Sequence, residues 1–283
     1  MTLNNNLFTD VKDNTQTFLG TILLNGAVGE GSTTPTASDV ALDEEFFRDF
    51  IDTLDTTVVD EVTVTLVVGA NEGNNNTVRE AGVFLTPAFS VDNCDQVTGW
   101  TASADMTLAL NNTTFYEGTG SLNLTKTGTS TAGIDMFKTV TSRSFINNFL
   151  TQTFFIIDQT TLDLFLGAGT SLSVRYGSDS SNYYQWDFAK AELAIGKNFL
   201  DALSSSNADS TTGTPDDANM DYYRILITTT ASGDTWSAGD VLIDDIRVVG
   251  QKMYLRDTLI ALNKVDTVII FTDFTVKIDA EEV

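Results

Sequence analysis

Paired carboxylates are the side chains with which this chain could run acid–base chemistry without histidine. It contains no histidine and a single cysteine, Cys94. Ser-His-Asp and Cys-His nucleophilic sites, zinc sites and intrachain disulfides are therefore excluded. Two carboxylate pairs remain that could flank a sugar and hydrolyse a glycosidic bond, Asp187 with Glu192 and Asp244 with Asp245. Neighbours on a strand point to opposite faces, which makes the second pair poor for that role, and no catalytic residue is expected. The densest group of recognition chemistry is Tyr183-Tyr184-Gln185-Trp186-Asp187-Phe188. Alternation places Tyr184, Trp186 and Phe188 on one face, most simply core, and leaves Tyr183, Gln185 and Asp187, with Arg175 or Arg224, on a polar face.

These residues need strands to hold them, and the surrounding segment supplies strand signals at short intervals. MTLAL (106–110), GSLNLTK (120–126), SLSVRY (171–176), YYRILITT (222–229) and DVLIDDIRVV (240–249) alternate between Ser-, Thr-, Asn- and Gly-rich turns. That pattern predicts a mainly β protein with a jelly-roll β-sandwich over 87–250. Trp100 and Trp236, in Gly- and Ser-flanked contexts, read either as exposed anchors or as packing residues.

The flanks, 60–86 and 252–278, read as two pieces of one small β domain. Val62, Val64, Leu66 and Val68 share a strand face, a second strand ends at Val83 and Phe84, and Phe274, Val276 and Ile278 alternate near the end. The expected organisation is thus a jelly roll inserted into a small β-rich (α+β) domain made of 1–86 and 251–283. Its α part is a predicted amphipathic helix over 39–54, where Leu42, Phe46, Phe50 and Leu54 recur every four residues and Ser38 or Asp39 is placed to cap. Residues 1–14 form a short polar arm.

With 39 acidic against 15 basic residues the formal charge is −24, and the pI is about 4.1. Such a chain repels a phosphate backbone, so no nucleic-acid partner is expected. Its acids are dispersed, giving a solvated acidic surface that reads either as adaptation to a high-salt (halophilic) medium, which low Lys, abundant Asp and many Thr favour, or as simple solubility of an exposed extracellular particle. No stretch approaches the ~18 apolar residues of a membrane span, and the first residues lack the pattern of a signal peptide.

Three stretches of the flanking domain resemble the head-proximal domain of tailed-phage tail fibres and tail-collar fibre proteins. They are Gly31-Ser32-Thr33-Thr34-Pro35 leading through Ser38-Asp39 to Ala41-Leu42 and Arg48; Asn71-Glu72 with Asn76 to Phe84; and Leu255-Arg256 with Asn263-Lys264. The resemblance implies a virion structural protein, homo-oligomeric and trimeric in the manner of fibres, in contact with other virion proteins and released by lysis. A capsid decoration or turret protein without receptor binding is the alternative. Arg79 and Glu80 read as a fixed ion pair or a bidentate contact across a subunit interface, or as an exposed pair worth ~0–1 kcal/mol.

The insert resembles jelly-roll carbohydrate-binding modules through Gly99-Trp100-Thr101, Tyr116-Glu117-Gly118-Thr119-Gly120-Ser121-Leu122, Tyr184-Gln185-Trp186 and Ile243-Asp244-Asp245-Ile246. This resemblance implies a structural calcium joining Asp92 or Asp95, Glu117, and Asp244 or Asp245, all oxygen donors. It also implies a host-surface glycan on the polar face of Tyr183, Gln185, Asp187 and Arg175.

Overall fold

The computed structural model describes residues 19, 23, 25–36, 42–58, 61–70, 72, 76–84, 88–116, 118–250, 253–263 and 270–277. Contacts divide the chain into two compact units, Met1–Pro87 with Gln251–Val283, and Ala88–Gly250. The first unit begins with β1 (Asn25–Gly29), β2 (Glu45–Phe50), β3 (Thr53–Asp55), β4 (Glu61–Val68) and β5 (Thr77–Phe84). The second contributes β6 (Ala88–Asp92), β7 (Thr101–Ala102), β8 (Met106–Asn111), β9 (Ser121–Lys126), β10 (Gly133–Arg143) and β11 (Asn148–Ile156). After the short helix α1 (Gln159–Leu164) come β12 (Thr170–Asp179), β13 (Asn182–Ala189), β14 (Gly196–Leu203), β15 (Ser210–Thr212), β16 (Met220–Thr228) and β17 (Val241–Gly250). The chain then re-enters the first unit as β18 (Met253–Asn263) and β19 (Ile270–Lys277).

In the first unit the strand orders are β18-β5-β1-β2 and β19-β4-β3. Strands from beyond the second unit therefore pair with strands that precede it, Leu255 opposite Val83 and Phe274 opposite Val64. The alternation in β4 does what a half-buried strand should, with Val62, Val64, Leu66 and Val68 all fully buried. The two sheets approach closely at Gly26, where an added Cβ would stand 2.9 Å from the Leu66 Cβ.

The helix expected over 39–54 is not formed where that segment is described: β2 and β3 occupy 45–50 and 53–55. A spacing of four is even, so a strand of period two aligns Phe46 and Phe50 as well as a helix does. Pairing with β1 decides between them, Phe47 lying opposite Val28 and Phe50 opposite Asn25. Phe46 and Phe47 are both buried, whereas Phe50 and Leu54 are 65% and 41% exposed. The buried Arg48 bonds Glu45 twice, at 2.9 and 2.5 Å, and lies 3.5 Å from the Phe84 ring centroid.

Arg79 and Glu80 do not act as one pair. Successive residues of β5 face opposite ways, so Arg79 is exposed and Glu80 fully buried. The Glu80 carboxylate accepts from the backbone amides of Gly31 (3.1 Å), Asp43 (3.2 Å) and Glu44 (3.0 Å), fastening the 31–35 loop to the entry of β2. A Cβ at Gly31 would collide with that carboxylate. Glu80 is thus spent inside its own chain, which corrects its reading as an interface residue; Arg79 remains the exposed member.

The second unit is a jelly-roll sandwich of two antiparallel sheets, β15-β13-β12-β16-β10-β7 against β14-β11-β17-β9-β8, with β6 also on β17. Its core draws on the inner faces of both sheets, including Leu122, Leu124, Phe154 and Ile243 from one and Met136, Val174, Trp186 and Ile225 from the other. Phe145 sits 5.3 Å from the Tyr176 ring and about 6 Å from Tyr184 and Trp186. Trp100 and Trp236 are packing residues: Trp100 meets Tyr223 edge-on at 5.8 Å, and Trp236 stacks on Phe165 at 5.8 Å while donating to the Leu124 carbonyl. No helix among the described residues is long and apolar enough to cross a membrane.

Candidate functional site

Burial of the inner face fixes which side chains the six-stranded sheet turns outward. Trp186 is anchored by donating its indole N–H to Asn207 Oδ1 (2.9 Å), and Tyr184 donates to Asp217 Oδ1 (2.9 Å) while packing on the core. The alternate residues Tyr183, Gln185 and Asp187 must then face away from the core. Register carries that face across the sheet: Gln185 lies opposite Arg175, Arg175 opposite Arg224, and Arg224 opposite Phe137. The structure therefore assembles Tyr183, Gln185, Asp187, Arg175 and Arg224 on one open surface.

The polar side chains are tied together. Arg175 Nε donates to Gln185 Oε1 (2.6 Å), Gln185 Nε2 to Asp187 Oδ1 (2.8 Å), and Ser173 Oγ to the same Asp187 oxygen (2.6 Å). The Arg175 guanidinium also lies 4.6 Å from the Tyr183 ring centroid, a cation–π contact that holds the ring in place. One strand further on, Arg224 Nε donates to Asp135 Oδ2 (2.8 Å). Side chains already braced in this way lose little freedom on binding.

Phe137 and Tyr222 extend the face beyond the expected set. Their rings lie 6.3 Å apart, and with Thr139, Ser178, Asp179, Ser180 and Asp221 they line an open cleft of about 420 Å³. Phe137 is 36% exposed on an otherwise polar strand face. Period-two alternation of GIDMFKTV and YYRILITT would have placed both rings outward with Arg224, and a large aromatic among outward polar residues was the available signal.

Of the two carboxylate pairs, Asp244 with Asp245 is closed off from a sugar, and the Glu192 carboxylate is engaged in its own turn. Glu192 accepts from the Ala189 amide at 2.6 Å, bracing its own turn, and Asp244 and Asp245 are 1% and 5% exposed. The alternation expected of Asp244 and Asp245 is broken by a bulge. Asp245 has φ of 51°, and the register with β11 shifts between Thr153 opposite Asp244 and Thr151 opposite Arg247. Both acids fall between Ile243 and Ile246, which face the core, on a strand buried throughout, and Arg247 bonds Asp245 Oδ2 at 2.9 Å.

This bulge gathers much of the expected metal set. Asp92, Asp244 and Asp245 surround the buried Cys94, whose thiol is pushed up by burial and then by those three carboxylates. Asp244 Oδ2 accepts from the Tyr116 amide (2.6 Å), and Asp95 Oδ1 accepts from the amides of Thr119 (2.7 Å) and Gly120 (2.8 Å). Asp92 also bonds Lys138. The donors are carboxylate oxygens, the kind calcium takes. Among the described residues, however, no three acidic or thiol side chains converge on one metal position, and Glu117 lies outside them.

The second unit is a jelly-roll β-sandwich, and the solved structures to which the chain is similar include several carbohydrate-binding modules. A family 11 carbohydrate-binding module from Clostridium thermocellum, solved in complex with a β-1,3-1,4-mixed-linked tetrasaccharide, aligns at 12% identity and a TM-score of 0.39, covering 59% of this chain and 98% of that one. The C-terminal family 22 module of Clostridium thermocellum Xyn10B aligns at 14% identity and a TM-score of 0.30, covering 59% and 96%. An agarase, AgWH50C, matches over 58% of this chain but 24% of its own, at 9% identity and a TM-score of 0.38. No family model matches the sequence, and no curated protein does.

Proposed function

We propose that this chain is a non-catalytic virion structural protein, in which the first unit attaches to the particle and the second presents a glycan-binding face to the host surface. The observation that carries the binding role is the open six-stranded sheet, where braced polar groups and the Tyr183 and Phe137 rings share one surface. Sugars are held this way, with pyranose faces on aromatic rings and hydroxyls on fixed polar partners. The tail-fibre resemblance of the first unit supports attachment beside other virion proteins, self-assembly as a trimer, and an extracellular location after lysis. Repetition of a weak site within such an oligomer raises avidity without new contacts.

The test is binding of the intact chain to host envelope and neutral oligosaccharides, with Tyr183→Ala and Phe137→Ala. Each substitution should lower affinity about tenfold and leave the melting temperature nearly unchanged. Undiminished binding by both variants would move the site off this face. Immunogold labelling of particles supplies the second readout: label at the tail tip, blocked by host envelope, fits attachment, whereas label over the head with no envelope binding makes the chain a capsid decoration or turret.

Calcium completes the proposal at Asp92 or Asp95, Glu117, and Asp244 or Asp245, stitching the ends of the second unit. Free calcium at about a hundredfold over its Kd should then stabilise that unit by about 2.7 kcal/mol, lost on chelation or in Glu117→Gln. Identical melting curves with calcium and with chelator would remove the metal.

A further inference from the structure

The two arginines of the open face leave most of their hydrogen-bonding capacity unused. Lys138, Lys190 and Arg247 each sit on an aspartate. Arg175 instead bonds a neutral partner, Gln185, and stacks on Tyr183, with no carboxylate partner among the described residues. Arg224 does have one, Asp135, but engages it through Nε alone. A guanidinium carries five N–H donors in a planar fork. The Nη groups of both arginines therefore keep their donors available, since none bonds a described residue.

Register sets these two forks directly opposite each other on β12 and β16. Like charges in that position repel, and both side chains are half-buried, which weakens solvent screening. An anion seated between them would remove the repulsion and fill both forks with charge-assisted hydrogen bonds. Asp135 and Asp187 flank the pair, one bonded to Arg224 and the other reached from Arg175 only through Gln185. The two forks are thus bordered by acceptors that suit sugar hydroxyls.

We propose that the ligand of this face is an acidic glycan whose carboxylate or sulfate bridges Arg175 and Arg224 while Tyr183 and Phe137 pack against its rings. The inference rests on the glycan-binding reading and narrows it to a substrate class. Matched oligosaccharides that differ only in charge test it: oligogalacturonate against its methyl ester for the carboxylate, and sulfated against desulfated carrageenan oligosaccharides for the sulfate.

By calorimetry on the intact chain, the charged member of at least one pair should bind about tenfold or more tighter than its neutral counterpart. Arg175→Gln and Arg224→Gln should each bring the ratio of charged to neutral affinity to about one, whatever they do to the affinity for the neutral member. Arg175→Lys, which keeps charge but not the fork, should restore the preference only in part. Equal affinity for charged and neutral members, or preference for the neutral ones, would overturn the acidic-ligand inference and leave glycan binding standing. Absence of binding to every oligosaccharide would overturn both.

Discussion

Above about pH 10 the second unit should lose stability steeply, by up to about 4 kcal/mol per pH unit. Three groups drive this. Burial pushes the Cys94 thiol well above its ordinary 9.0, with the carboxylates of Asp244, Asp92 and Asp245 adding to the rise. Burial likewise pushes the Tyr176 and Tyr223 phenols above their ordinary 10.0. Each group stays neutral in the folded chain after its unfolded counterpart has ionised. The unfolded state then binds fewer protons, so stability is fully present below pH 9 to 10 and declines as pH rises toward the folded-state values. Each group contributes a slope of about 1.4 kcal/mol per pH unit.

Denaturant midpoints measured between about pH 8 and pH 11 give that slope. In Tyr176→Phe, which gives up the bond to the Met220 carbonyl, it should fall by one proton's worth. A flat profile through the window would mean that these groups are not held neutral in the native core.

Glu80→Ala should largely unfold the first unit. The substitution strands the amides of Gly31, Asp43 and Glu44, and a buried unsatisfied amide costs about 1–3 kcal/mol. The combined loss, about 3 kcal/mol or more, is a large share of the ~5–15 kcal/mol that holds a typical domain together. Glu80→Gln keeps one acceptor oxygen and should fall between the two. Hydrogen exchange at Gly31 and Glu44 reports the effect locally: protection should vanish in Glu80→Ala and partly return in Glu80→Gln. Full protection in Glu80→Ala would show that other groups hold the loop.

Legibility followed the kind of periodicity each segment carried. Period two in 183–188 is unambiguous, so the core face of Tyr184, Trp186 and Phe188 and the open face of Tyr183, Gln185 and Asp187 follow from sequence alone. The spacing of four in 42–54 fits two periods, and only pairing with β1 breaks the tie. Alternation marks Phe137 as outward, but only the neighbouring register sets it beside Arg224 and Tyr222 and so makes it part of the face. The burial of Asp244 beside Asp245 comes with a bulge at a left-handed residue that is not glycine, which plain strand alternation does not anticipate. Glu80 was noticed for its neighbour Arg79, whereas its role comes from amides 36 to 49 residues away.

The pairing of β4 with β19 and of β5 with β18 also sets a timetable for synthesis. At ~5–20 residues per second, a ribosome spends roughly 8–30 s on 88–250 while β4 and β5 are already made and their later partners are not. The contiguous second unit can collapse as soon as it emerges, but the first must wait with bare strand edges, which are templates for pairing with other nascent chains. The strands translated before the second unit are therefore finished only after it, and residues 251–283 decide whether they are finished at all.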